Sequence, residues 1–298
     1  MKKVILMLLC ALIMAAVLPV TVQADIGPKP SVVIDFDGLE GENYYVTLLS
    51  SVKSTGPYSA LNDSNRGYAR YQGDDEDYNI FLKFTEYKDM DGFYFLQFFK
   101  DCSQSQQFSW TYYPPQEFKI LLYFPEIDRF VVSGERFERY AFDSYFTAKV
   151  SGLDLSAGTG QAIEVAVKKS YDYTYEVLSL IARILLTIAI ELGIALLFGF
   201  RGKRQFRFIA LVNTVTQIAL NVALNIINYR SGQMAFVVFY VLLEIVVFVV
   251  EAVLYMSYLK KYSEKEIPGW KPCVYALVAN SASFALGLGL AYWIPGIF

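Results

Sequence analysis

The chain of 298 residues contains no histidine. That absence removes Ser-His and Cys-His nucleophile activation, HExxH zinc chemistry and every histidine proton relay. Cysteine is nearly as scarce. Cys10, Cys102 and Cys273 are the only three, too few for a disulfide framework. Cys10 lies in an apolar leader and Cys273 at the edge of an apolar run, which leaves Cys102 to be read as a buried structural thiol or as a reactive or intermolecular one. Neither a P-loop nor a GxGxxG pattern occurs in the basic segments. No catalytic, cofactor-binding or metal site is therefore expected, and the chain is read as a non-enzyme without cofactors.

Aspartate stops at Asp172, and the charge divides there. Asp25 to Asp172 holds 23 acids against 14 bases, whereas Tyr173 to Phe298 holds 6 acids against 10 bases. Such asymmetry implies two environments and argues against nucleic acid as a partner. The composition is 55% hydrophobic and 18% charged, too apolar for an average soluble protein.

The first 24 residues, "MKKVILMLLCALIMAAVLPVTVQA", combine Lys2 and Lys3 with an apolar run and the small-residue ending Val22-Gln23-Ala24. This reads as a signal peptide cleaved after Ala24, with an uncleaved anchor as the alternative. Residues 25–172 then form one domain. Its runs "SVVIDF", "YYVTLLS", "YNIFLKF", "FYFLQFF", "FSWTYY", "FKILLYF", "RFVVSGERF", "SYFTAKV" and "AIEVAVK" read as strands separated by Asp-, Gly- and Pro-rich turns. About nine short strands without a helical period predict an antiparallel β-sandwich, Ig-like in architecture by analogy only. The turns "DFDG", "DDED" and "DMDG" resemble fragments of calcium loops, but none reaches the twelve-residue pattern, and turn chemistry explains them without metal. Trp110 and Tyr112 on one strand face would form either a stacking platform for a glycan or peptide, or core.

Residues 173–298 carry four apolar segments of spanning length, at about 177–200, 208–227, 234–259 and 273–293. The loop "RGKRQFR" holds Arg201, Lys203, Arg204 and Arg207, and residues 260–271 hold Lys260, Lys261, Lys265 and Lys271. Between them "NYRSGQ" holds only Arg230. The positive-inside rule puts the two basic loops in the cytoplasm, so the β domain and the C-terminus are expected outside a multi-pass plasma-membrane protein, in agreement with the leader. Tyr171, Tyr173, Tyr175, Tyr292 and Trp293 are then expected in an outer aromatic belt, and Trp270 and Tyr275 in an inner one.

With the opening "IGPKPSVVIDFDGLEGENYYVTLLS" and the spans "LIARILLTIAIELGIALLFGFR" and "VNTVTQIALNVALNIINY", the chain resembles an uncharacterised family of Gram-positive (Firmicutes-type) membrane proteins. That resemblance covers essentially the whole chain. It implies the order signal peptide, extracellular β domain and four C-terminal transmembrane helices, and it carries no activity.

The spans are not uniformly apolar. A charged side chain at the centre of a spanning helix costs about 2.5–3.5 kcal/mol, yet "FYVLLEIVVFVVEAVLY" contains Glu244 and Glu251. At about 100° per residue, Tyr240, Glu244, Glu251, Tyr255 and Tyr258 share one face of the third span. Asn213, Thr214, Gln217, Asn221, Asn225 and Asn228 share one face of the second. Arg183, Thr187 and Glu191 line up on the first, and Ala276, Asn280, Ser283, Gly287 and Ala291 on the fourth. These faces are expected to meet as an intramembrane polar cluster of Arg183, Glu191, Asn213, Gln217, Asn221, Glu244, Glu251 and Asn280. Arg183 and Glu244 match in depth and can pair. Glu191 and Glu251 have no cation at their level, so each is protonated, bonded to Asn or Gln, or holding a cation.

Three functional readings follow. One is an extracellular binding or sensing domain coupled to a polar-cored bundle, an accessory or assembly component with a peptide, glycan or cell-envelope ligand and a protein partner or second copy in the bilayer. Another is a small proton- or cation-linked transporter using Glu191, Glu244 and Glu251. The third is a purely structural envelope protein.

Overall fold

Ten strands and four helices account for most of residues 27–62, 69–150, 165–263 and 266–293, which the structure, a computed structural model, describes. The leader, the turn "LSAGTG" and the C-terminal "IPGIF" lie outside the described residues. The fold is a mixed β/α one whose chain separates into two compact units, Pro28–Tyr171 and the helices that follow Asp172.

In the first unit one sheet has the order β10-β9-β1-β5, with β1 at Ser31–Asp37, β5 at Gln107–Trp110, β9 at Asp143–Val150 and β10 at Val165–Lys169. The second is built on β2 (Tyr45–Ser50) and β6 (Glu117–Phe124), flanked by β3 (Tyr94–Phe95), β4 (Lys100–Asp101), β7 (Arg129–Val132) and β8 (Phe137–Glu138). Alternate residues of both sheets meet in one apolar core, among them Val32, Ile34, Val46, Leu48, Trp110, Ile120, Leu122 and Phe146. The expected strand "FYFLQFF" keeps only Tyr94–Phe95, the chain leaving the sheet before Gln97, whose φ is positive, and pairing again at Lys100–Asp101, while "RFVVSGERF" is broken into two short pieces.

Two expectations fail here. The pairing is not antiparallel throughout, because β1 and β9 run parallel from Ser31↔Asp143 to Asp37↔Lys149. A hydrogen bond from Ser31 Oγ to Asp143 Oδ1 fixes the start of that register. Nor is "YNIFLKF" a strand; Tyr78–Glu86 is helix α1. Its Phe81 and Phe84, three residues apart, fall on one face and are buried against Leu49, Phe99, Leu121 and Tyr123. Burying each ring stabilises by about 1.5–3 kcal/mol. The acidic run at residues 74–77 precedes the helix, where its charge complements the N-terminal dipole. So α1 covers the face of the second sheet that points away from the shared core. β2 and β6 are consequently buried on both faces, which is why Leu48-Leu49 in β2 and "ILLYF" in β6 are consecutive apolar residues and not alternating ones.

The turn "DMDG" is organised by a buried cation. Lys119 lies in β6, 4% exposed, with Nζ 3.0 Å from Asp89 Oδ1 and 2.5 Å from Asp91 Oδ2. In "DFDG", Asp35 accepts a hydrogen bond from Gln107 Nε2 at 2.7 Å. Trp110 is fully buried and stacks edge-on against Tyr58 at 4.9 Å, so it belongs to the core and not to a surface platform. Cys102 is buried and free. Burial, and then the neighbouring Asp101, push its thiol up to about 12, which makes it an inert packing residue.

The helical unit contains α2 (Thr174–Leu197), α3 (Lys203–Tyr258) and α4 (Lys271–Trp293). α2 and the helix Lys203–Tyr262 are long and apolar enough to cross a membrane. α2 ends in a Schellman motif: Phe200 N–H donates to Ala195 O at 2.9 Å and Gly199 N–H to Leu196 O at 3.0 Å, with Gly199 at φ 76°. α3 is not one rod. At Gly232, φ 80° and ψ 176° are non-helical, a conformation essentially reserved for glycine. The chain reverses there. Asn213 bonds Tyr255 and Thr216 bonds Glu251, pairs nearly equidistant from Gly232. The segments 203–231 (α3a) and 233–258 (α3b) are therefore antiparallel arms of a hairpin, and the expected loop "NYRSGQ" shrinks to little more than one residue.

Candidate functional site: a buried polar cluster among the helices

The helices are packed with their polar residues inside. On α2 the buried positions are Arg183, Thr187, Glu191 and Ala195, at four-residue spacing. On α3a they include Asn213, Gln217 and Asn221, on α3b Glu251 and Tyr255, and on α4 Asn280 and Ser283. Many large aliphatic side chains face the other way, while Ile209, Leu220, Leu224 and Val247 pack inside in apolar clusters beside the polar residues. Leu185 is 65% exposed, and Leu211, Val215, Ile218 and Val222 form an exposed stripe along α3a.

Three polar groupings follow one another along this interior. Toward the end of α2, Glu191 is fully buried and Asn213 Nδ2 donates to its Oε2 at 2.7 Å. The hydroxyls of Tyr255 and Tyr275 lie 3.5 Å from the same oxygen, and Tyr275 also reaches the Glu191 carbonyl at 3.2 Å. One turn further, Glu251 is fully buried; its Oε1 accepts from Thr216 Oγ1 at 2.6 Å and its Oε2 from Asn280 Nδ2 at 2.8 Å. In the third grouping Arg183 Nη1 donates to Asn221 Oδ1 at 3.4 Å, and the guanidinium lies over the rings of Phe236 and Tyr240 at 5.5 and 5.4 Å. Asn221 Nδ2 in turn donates to the Gln217 carbonyl at 2.8 Å. Arg183, Gln217, Tyr240, Glu244 and Ser283 line one narrow cavity.

All eight residues singled out from the sequence thus face the helical interior or a cavity opening from it. Glu244 is the most accessible of them, half-buried between this cavity and a shallow groove that also involves Asn280. Some assignments change. Glu251 has one carboxamide partner, Asn280, and one hydroxyl partner, Thr216. Tyr258 shares the expected face of α3b yet is 40% exposed and packs on Phe208. Tyr275 is no belt residue: it is buried, edge-on to Phe200 at 5.2 Å, while Trp270, Tyr173 and Tyr175 are exposed. Thr216 and Tyr275 are the two polar contributors that helical phase alone missed. A carboxylate needs donors wherever it is buried, and a search for hydroxyls level with each glutamate would have found both.

Chemically the interior offers carboxyls, carboxamides, phenols and one guanidinium, and the narrow cavity beside Arg183 and Glu244 has room for a proton, a water or a small cation. No protein family, curated protein or solved structure matches the chain.

Proposed function

We propose that this is a multi-pass plasma-membrane protein in which an extracellular β-sandwich domain, residues 25–172, binds or senses a ligand and is coupled to a four-helix transmembrane bundle with a polar core. The observation that carries the reading is the burial pattern of the helices, with Glu, Asn, Gln and Arg inside and long stripes of Leu, Ile and Val outside. Water would expose that aliphatic surface at high cost, whereas lipid is its natural solvent, and in lipid the polar side chains must find one another. The hairpin at Gly232 supports counting the 203–258 helix as two spans, and α4 supplies a fourth. The basic segments around residues 201–207 and 260–271 favour a cytoplasmic location, which leaves the β domain and the C-terminus outside. The proposed role is that of an accessory or assembly component with a peptide, glycan or cell-envelope ligand and a membrane partner or second copy. The signal peptide and the Gram-positive family resemblance belong to the same proposal.

Cysteine labelling of intact cells in a Cys-free background tests it. A cysteine at Ser263 is expected to resist an impermeant thiol reagent until the membrane is permeabilised, and one at Met90, which is fully exposed, to react at once. Labelling at Ser263 in intact cells reverses the orientation and the compartment of the β domain with it.

A second reading, proton- or cation-linked transport, draws on the burial of Glu191 and Glu251 and on the cavity beside Glu244. Its test is flux into proteoliposomes: a pH- or cation-dependent flux abolished in E251Q with the fold retained supports transport, and no flux leaves the seam as structural glue.

A further inference from the structure

We infer that Glu191 is a proton-binding site, its carboxyl a neutral acid paired with the carboxamide of Asn213. The inference comes from donors and acceptors and holds on either functional reading. Asn213 directs its amide hydrogens to Glu191 Oε2 at 2.7 Å, to Tyr255 Oη at 2.9 Å and to the Ile209 carbonyl at 3.1 Å. The phenols of Tyr255 and Tyr275 point to Glu191 Oε2, the latter also to the backbone oxygen of Glu191. Every donor that reaches the Glu191 carboxyl therefore reaches the same oxygen, Oε2. Glu191 Oε1 and Asn213 Oδ1 remain buried without a hydrogen-bond partner. Both are acceptors, on side chains that are themselves fully buried and already joined by one hydrogen bond.

A single proton resolves both. Placed on Oε1, it turns that oxygen into a donor for Asn213 Oδ1 and completes the pairing that Asn213 Nδ2 begins at Oε2. A metal cation is a poorer solution, since hard cations require a shell of oxygens and only these two acceptors lack partners in the described helical unit. The acids of the facing arm that bear on Glu191 are Glu251 and Glu244. Arg183 lies eight residues back on α2, about 12 Å along the axis, and is engaged with Asn221. The remaining neighbours, Asn213, Tyr255 and Tyr275, are uncharged. Glu251 is the internal contrast. Each of its oxygens already accepts a hydrogen bond, from Thr216 and from Asn280, so it needs no proton.

Infrared spectroscopy of the full chain in detergent, at pH 7 and with isotopically labelled glutamate, reads this directly. The carbonyl band of a protonated, buried carboxyl is expected in the wild type, to persist in E244Q/E251Q and to vanish in E191Q. E191Q is also expected to keep its melting temperature, because the Gln amide replaces the acid O–H as donor to Asn213, whereas E251Q loses an acceptor and melts lower. Should E191Q not fold, E244Q/E251Q still decides the matter, for it retains Glu191 as the fully buried acid of the helices. Absence of the band in wild type, its survival in E191Q, or its loss on adding sodium each overturns the inference, the last by replacing the proton with a metal ion.

Discussion

At the scale of single residues, buried charge is what this fold handles most deliberately. Lys119 sits among apolar strands because Asp89 and Asp91 meet it there; burial alone pulls its pKa down, and the bonds to the two carboxylates more than reverse that pull. Asp89→Ala is expected to destabilise the β domain by about 3 kcal/mol in denaturant unfolding, since it strips a buried ammonium of its more buried partner. The pH dependence follows the same contacts. Lys119 holds the Asp91 carboxyl below its usual range, and Lys83 with Tyr123 does so for Asp128. A carboxyl lowered in the fold contributes fully above its unfolded pKa, about 3.9, and its contribution is lost as pH falls through the lower folded value. Lys119 has the opposite sign, its contribution being full below about 10.4 and lost above its raised folded value. The melting temperature of the domain should thus be level through neutral pH and fall below about pH 4, with a shallower fall in D91N. Cys102 should stay unreactive toward thiol reagents in native protein and become titratable only on unfolding.

Individual elements show where the sequence was legible and where it was not. Strand β9 alternates cleanly in burial and β1 is a short β-branched run, so both were readable, but their parallel pairing joins residues more than a hundred positions apart and leaves no local trace. Helix α1 was hidden because Tyr, Ile and Phe favour strands by composition, while its three-residue spacing of buried rings says helix. The consecutive apolar residues of β2 and β6 were the available sign that something covers their far face. F84A, which empties the centre of that cover, is expected to cost about 3–5 kcal/mol and to leave the shared core of the two sheets in place. The polar faces of the long helices were legible from the 3.6-residue period alone, because few residue types compete for the interior of an apolar helix. Which donor meets which carboxylate depends on rotation and depth together, and phase supplies only the first. Gly232→Ala tests the reversal in α3. A non-glycine residue in that conformation costs about 1–3 kcal/mol, to be read as a lowered melting temperature of the full chain, whereas a Gly193→Ala control in helical α2, where an added methyl meets nothing within 4 Å, should be neutral or better.

For the whole molecule, the first unit carries its own apolar core and a second apolar cluster beneath α1, the equipment of an independently folding domain. Asp25–Lys169 expressed alone should be soluble and give a mainly β circular-dichroism spectrum with a minor helical component. A predominantly helical spectrum would reject the assignment. The hairpin of α3 has a consequence for how a membrane-embedded chain is made. If the chain is embedded as proposed, either arm by itself would present a row of uncovered carboxamides or carboxylates to lipid. Because the reversal occupies scarcely more than Gly232, the second arm would follow the first with no intervening loop to be carried across, and Thr216 and Glu251 would find each other within the hairpin itself. The two arms would then enter as a single partly self-shielded wedge against α2, which precedes them in the chain, with α4 left to cover the polar surface that remains.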